Sequence, residues 1–303
     1  MAVTTSSSFS KALAPGVNTW FGETYDEFPV EWTALFDQFT SRRQYEEDVG
    51  FAGLGLAVEK KEGAAVTYDS ERQGFTNRYT HTEWALGFIV TQIAFEDDQY
   101  DIIAERRARG LAFSMRQTKE INGANVYNRA FNTSYTGGDA LCLLNSAHLN
   151  VSGGTYSNIL ATAANLSEAA LEQAVIDLGK YTNDRGLKIA VRGQKLIIPV
   201  DLEFEAARIL KNVNRPGTAE RDINALVTLG KFPGGVIMNH YLTSTTAWFI
   251  KTSVQNGMKY FSRRDDSFGE DNDFDTSNAK FKAAGRYSFG WTDPRGLYGT
   301  AGV

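Results

Sequence analysis

The chain has 303 residues, 42% of them hydrophobic and 22% charged, with a formal net charge of -5 at pH 7. That length allows a single elaborated unit or two intimately joined lobes, and the composition is that of a globular protein. No apolar run reaches the roughly 18 residues that a membrane span needs, and the polar start lacks a signal-peptide pattern. The acidic balance gives no support for a surface that grips nucleic acid all over, and the one cysteine, Cys142, has no internal disulfide partner, as befits a reducing cytoplasm.

Residues 1–48 show little periodicity and contain Pro15, Gly16, Gly22 and Pro29, so they read as a loosely patterned arm. Its apolar pegs (Trp20, Phe21, Tyr25, Phe28, Trp32, Phe36 and Phe39) either fold back on the arm's own domain or lie along a neighbour. Trp32, Leu35, Phe36 and Phe39, at i, i+3, i+4 and i+7, predict a short helix over 31–39. Residues 50–90 read as β structure punctuated by glycines, with Trp84, Leu86, Phe88 and Val90 on one face. Inside that stretch Glu59-Lys60-Lys61-Glu62-Gly63 reads as an exposed hairpin tip. A long protruding hairpin is marginal alone in water and needs a surface to lie on.

The clearest helix is 97–121, with Asp97, Asp98 and Asp101 at its start, where carboxylates suit the macrodipole. Tyr100, Ala104, Ala108, Leu111 and Met115 form its apolar stripe, and Arg106, Arg107, Arg109, Arg116 and Lys119 decorate the remainder. At 1.5 Å per residue it is about 37 Å long, enough for a spine. A second helix starts at the N-cap Ser167 with Leu171, Ala174, Val175 and Leu178 buried. Strands are predicted at 187–191 and 195–200, then a helix capped by Asp201 and broken at Asn214-Arg215-Pro216-Gly217, then strands at 225–227 and 236–241. Helices and strands intersperse without βαβ alternation, so the class is α+β.

The last sixty residues carry an aromatic strand around Ala247-Trp248-Phe249-Ile250-Lys251 and two more at 258–264 and 280–291. Between the latter two lie six carboxylates: Asp265, Asp266, Glu270, Asp271, Asp273 and Asp275. Asp271-Asn272-Asp273-Phe274-Asp275 resembles a calcium loop only briefly. Thr276 stands where the glycine belongs and Lys282 where the glutamate belongs, so an exposed connector is the better reading. His81, His148, His240 and Cys142 have no metal-ligand spacing, and no phosphate loop or nucleophile elbow appears. The residues give no catalytic, cofactor or metal site.

The closing pattern, ending in Thr292-Asp293-Pro294-Arg295-Gly296-Leu297-Tyr298-Gly299, resembles tailed-phage major capsid proteins of the Hong Kong 97-type fold, the Mu-like head subunits among them. Val90-Thr91-Gln92-Ile93-Ala94-Phe95-Glu96-Asp97-Asp98-Gln99-Tyr100 is similar to the start of their spine helix, and Glu120 with Asn128-Arg129-Ala130-Phe131 to its end. Leu144-Asn145-Ser146-Ala147-His148, Gly153-Gly154-Thr155-Tyr156-Ser157-Asn158 and Leu196-Ile197-Ile198-Pro199-Val200-Asp201-Leu202 follow in matching order. The resemblance covers roughly 50–300 and implies four parts. These are an N-terminal arm (1–49), an extended β-hairpin loop (50–79), a peripheral domain with the spine helix (80–130 and 250–291), and an axial domain (131–249 and 292–303).

It further implies a major head subunit, without enzymatic activity or cofactor. Copies would assemble as pentamers and hexamers into an icosahedral shell around double-stranded DNA, helped by a scaffolding protein and meeting portal and decoration proteins. The setting is the virion, after synthesis in a bacterial cytoplasm. Trp20, Phe21, Lys60, Lys61, Arg263, Arg264, Arg286 and Arg295 are the candidate subunit contacts, the arginines because their planar fork suits desolvated carboxylates. Arg106, Arg107, Arg109 and Arg116 are the candidates for facing DNA, although Glu105 and Glu120 on the same helix argue for a solvated, ion-paired face. Some relatives crosslink subunits through a lysine–asparagine bond, and Lys60 and Lys61 sit in the loop with no partner identified. The rivals are an encapsulin-like compartment holding protein cargo and a soluble enzyme.

Overall fold

A computed structural model describes residues 10–91, 93, 100–213, 223–272 and 278–303. In chain order its elements are α1 (Ser10–Glu27), α2 (Trp32–Leu35), β1 (Asp37–Thr40), β2 (Tyr45–Ala52), β3 (Arg72–Thr80), β4 (Thr82–Val90) and α3 (Tyr100–Asn128). Then come β5 (His148–Leu149), β6 (Thr155–Tyr156), α4 (Glu168–Gly179), β7 (Gly193–Ile198), α5 (Glu203–Lys211) and α6 (Ala225–Thr228). The chain closes with β8 (Val236–Met238), β9 (Trp248–Thr252), β10 (Met258–Asn272), β11 (Ala279–Trp291) and β12 (Leu297–Thr300).

Two four-stranded sheets organise the molecule. The first has the order β1-β10-β11-β4, with β1 parallel to β10 and the other pairs antiparallel. The helix α3 crosses it: Ala104 and Ala108 meet Val90 and Phe281, and Leu111, Ala112 and Met115 meet Ala283. Alanines on that stripe let helix and sheet approach closely, while its 29 residues span about 43 Å at 1.5 Å per residue. The second sheet, β12-β9-β7-β8, is more deeply enclosed, and every residue of β9 is buried. Leu171, Ala174 and Leu178 of α4 pack on Leu196, Ile198, Trp248, Ile250 and Tyr298. A third cluster joins the two sheets: Ile197, Phe249 and Leu297 from the second meet Met258, Tyr260 and Tyr287 from the first. The lobes therefore share a core. β2 and β3 form a separate two-stranded ladder, held to the body where Tyr79 packs on Phe261 and Asn77 donates to Thr292 O.

Several sequence-based expectations need correction. The arm is not loosely patterned: α1 is an 18-residue helix despite Pro15, Gly16 and Gly22. Phe21, Thr24 and Tyr25 share one face against α3 and β10, and that burial outweighs poor local propensity. The helix predicted over 31–39 stops at Leu35, since Asp37–Thr40 is drawn into ladder pairing with 259–262. The strand predicted at 187–191 is a turn region with a single bridge, Thr182 to Lys188. The one at 225–227 is α6, because the Asn224 side chain accepts from the Leu226 and Val227 N–H groups and starts a helix. Asp201 caps nothing; it lies in a 3-10 turn, and Leu202 holds the position before α5.

The acidic run is no connector as far as Asn272. Asp265, Asp266, Glu270 and Asp271 lie in β10, which stays paired with β11 to that point. A domain boundary at residue 250 falls inside β9, whose ladder partners β7 and β12 both belong to the second sheet. Asp97, Asp98, Asp273, Asp275 and the 214–217 break lie outside the described residues.

Candidate functional site

The arm is clasped to α3 by buried polar groups as well as by rings. Trp32, Leu35 and Phe36 are all under 7% exposed and sit in the shared core. Both oxygens of Glu120 accept backbone N–H groups of the arm, from Glu31 at 3.1 Å and Trp32 at 2.9 Å. Burial pushes the Glu120 carboxyl above its usual range, against the lowering effect of those two donors. Lys119 lies at 5.2–5.3 Å from the rings of Trp32, Tyr260 and Tyr287 and at 3.4 Å from Asp266. The Tyr25 hydroxyl donates to the same carboxylate; burial first, and the charge of Asp266 next, push that phenol up. Arg116 lies over the Tyr25 ring at 4.5 Å.

The extended loop is the opposite case. Its ladder ends at the pair Ala52 and Arg72, beyond which no regular pairing continues and a turn falls at 62–63. Every residue from 56 to 73 is exposed, including Leu56 at 79%, Val58 at 69%, Val66 at 56% and Tyr68 at 91%. So many large apolar side chains exposed along one short segment are the composition of an interaction surface. Just past the ladder, Arg185 donates to Gly53 O (3.1 Å), Ser70 O (2.7 Å) and Asp69 (3.0 Å). Asp69 also accepts from the N–H groups of Gly55 and Ser70, each at 2.8 Å. Those two donors and then Arg185 hold the Asp69 carboxyl below its usual range.

The candidate contact residues are dispersed by this arrangement. Lys60 and Lys61 are exposed on the loop tip. Arg264 is exposed and pairs with Glu83 at 2.5 Å, Arg263 is half-buried, and Arg286 donates to His81 O at 3.2 Å. Phe21 and Arg295 are corrections: both are turned inward. Phe21 is 6% exposed beneath α1, with Trp20 half-buried beside it. Arg295 is 7% exposed, bonded to Asn150 and Asp184 and stacked over Tyr156 at 4.0 Å, so its fork is used within the subunit. On α3, Arg106, Arg107 and Arg109 are exposed, with Arg107 donating to Ile89 O and Arg109 paired to Glu105. Arg116 is buried under the arm and does not present to DNA.

The histidines have structural partners: His148 with Asp139 and Leu143 O, His240 with Glu31, His81 with the Ser288 hydroxyl at 3.0 Å. The last pair has the types of a nucleophile and base, but the far nitrogen of His81 meets no carboxylate, so no triad is formed among the described residues. Among the described residues no group of three potential ligands is placed to hold a metal, and no helix is long and apolar enough to cross a membrane. Sequence reasoning missed Glu120, Lys119, Asp266 and the Arg185–Asp69 pair. Only the last had a local signal, the turn-forming Asn183-Asp184-Arg185-Gly186.

A family model described as phage capsid protein matches residues 75–300. Among solved structures, the virus-like particle from Pyrococcus furiosus superposes with a TM-score of 0.52 at 11% identity, covering 94% of this chain and 98% of that one. Mycobacterium phage Adephagia gives 0.51 at 12% identity, covering 90% of each chain. The capsid of cyanophage P-SCSP1u gives 0.52 at 11%, covering 89% of this chain and 86% of that one. At such identities the likeness establishes the fold alone. No curated protein matches the sequence.

Proposed function

This chain belongs to the phage capsid protein family, and from that premise we propose that the exposed loop is the main surface through which one subunit engages the next. The fold is the Hong Kong 97 type and the protein is a major capsid protein, a structural subunit whose copies self-assemble into the virion shell. In our reading α3 and the first sheet form the peripheral domain, and the second sheet with α4 to α6 forms the axial domain around five-fold and six-fold positions. The shell encloses double-stranded DNA, assembles with a scaffolding protein and carries a portal, and decoration proteins bind outside it. Arg106, Arg107 and Arg109 are the basic side chains we assign to the DNA side, since Arg116 is spent on Tyr25. Lys60, Lys61 and Arg264 are assigned to neighbour contacts.

The single observation that carries the loop assignment is its exposure: Leu56, Val58, Val66 and Tyr68 face solvent and are not covered by the described residues of their own subunit. In a lattice each such contact repeats, so modest pair energies suffice. The test is to join Ala52 to Arg72 through a two-residue Asn-Gly turn, which keeps the β2–β3 ladder intact. The expected product is a folded subunit that forms few or no closed particles by electron microscopy. Shells of normal size and number from this variant would rule out the loop as the main contact.

A further inference from the structure

Four hydrogen bonds on the loop converge on one point. The β2–β3 ladder ends at Ala52 and Arg72, and Gly53 and Ser70 lie just beyond it, one on each limb. Arg185 donates to the carbonyls of both, at 3.1 and 2.7 Å, and its guanidinium also holds Asp69 at 3.0 Å. Asp69 in turn reaches across to the Gly55 N–H at 2.8 Å. One guanidinium therefore ties the two limbs to each other and to the body of the subunit. A planar fork with several fixed donors is suited to that task, as a lysine's point charge is not.

The guanidinium is itself rigidly mounted. Arg185 sits in a tight turn in which the Asn183 carboxamide accepts from the N–H groups of Arg185 and Leu187, both at 2.9 Å. Asn183 and Leu187 close the turn at 2.8 Å, and Gly186 supplies the positive φ of 80° that it requires. The preceding residue, Asp184, pairs at 3.0 Å with the buried Arg295, which also binds Asn150 and stacks on Tyr156. A continuous polar strut thus runs from the turn before β12 through Asp184 and Arg185 to the loop. Beyond it, residues 56–68 are exposed throughout.

We propose that Arg185, with Asp69, is the positioning node that fixes the direction in which the distal loop leaves the subunit, and so sets the curvature and size of the assembled shell. This rests on the reading of the loop as the neighbour contact. Releasing the node leaves the β2–β3 ladder and the core clusters untouched but lets the distal loop swing about Gly53 and Glu71. Because a lattice repeats every contact, a small loss of direction at each subunit is amplified in the yield of closed particles.

The test uses the full chain as wild type, Arg185→Ala, Asp69→Ala and the double variant, comparing thermal unfolding of unassembled subunits with particle counts and diameters by electron microscopy. The expected single variants melt close to wild type, give about tenfold fewer closed shells, the equivalent of about 1.4 kcal/mol, and spread the diameters. The double variant is expected to be no worse than the poorer single, because both act at one node. Particles of wild-type number and diameter from Arg185→Ala, or fully additive losses in the double variant, would overturn the proposal. Should Arg185→Ala unfold early, Asp69→Ala at its exposed position decides by the same particle readout. A wild-type chain that forms no shells at all is a separate failure, that of the shell reading itself.

Discussion

The arm and the extended loop both leave the two-sheet body, and both carry large apolar side chains, yet they end in opposite environments. Phe21, Trp32, Leu35 and Phe36 of the arm are buried in their own subunit, whereas Leu56, Val58, Val66 and Tyr68 of the loop face solvent. The difference lies in polar partners as much as in apolar area. The arm's free N–H groups find Glu120, its Tyr25 hydroxyl finds Asp266, and its Trp32 ring lies beside Lys119. Among the described residues, the segment 56–71 is tied to the body by Arg185, through Asp69 and Ser70, and the side chains beyond that tie face solvent. A segment whose backbone and charges are satisfied at home is part of the body. One left with bare apolar side chains is, on the proposed reading, completed by a neighbouring subunit.

The sharpest way to break that contrast is to attack the arm. Leu35 is fully buried, so Leu35→Ala should cost about 2–5 kcal/mol of subunit stability in a denaturant titration. A change within about 0.5 kcal/mol, the range of ordinary surface positions, would mean the arm is not packed on its own subunit. Next in size is Glu120→Ala, which strands two N–H donors of the arm. It should cost about 1–3 kcal/mol, and Glu120→Gln, retaining one acceptor, should cost less.

The same pair of residues gives a pH signature. Because burial raises the Glu120 carboxyl in the folded subunit, protonation favours the fold. Its contribution is complete below the ordinary value of 4.5 and is lost as pH rises through the raised folded value. The stability of wild type relative to Glu120→Gln should therefore fall as pH climbs through that window and level off above it. A gap moving in favour of wild type with rising pH would contradict the burial argument.

The smallest effect on stability, and the largest on assembly, is expected in the loop. Leu56→Asp combined with Tyr68→Asp should shift unfolding by no more than about 0.5 kcal/mol, as befits exposed positions, while sharply reducing closed particles counted by electron microscopy. Unchanged particle yield would move the neighbour contact away from the distal loop.

Much of the body was legible from pattern. The stripe Ala104, Ala108, Leu111 and Met115 located α3, because periodicity reports which face is buried, and the aromatic run Met258-Lys259-Tyr260-Phe261, buried throughout, located a strand. The hairpin tip near Lys60 and Lys61 was visible for the same reason, since charge next to glycine marks an exposed turn. The arm was misread because Pro15 and Gly16 are local signals and its burial against α3 is a distant one. The α6 segment misled because Ala225-Leu226-Val227 is too short for periodicity to separate helix from strand. The Glu120, Lys119 and Asp266 clasp joins residues 88 to 241 positions apart, and no single-sequence pattern encodes such a meeting. Arg295 and Phe21 looked like surface anchors for a related reason: residue type alone does not say which side of the subunit a side chain faces.

The most direct test compares amide hydrogen exchange in unassembled subunits and in purified shells. Residues 56–68 should exchange rapidly in the free subunit and become strongly protected in the shell, while the arm segment 21–36 should be protected in both. Protection gained by the arm on assembly, with the loop still exchanging freely inside the shell, would reverse the two roles.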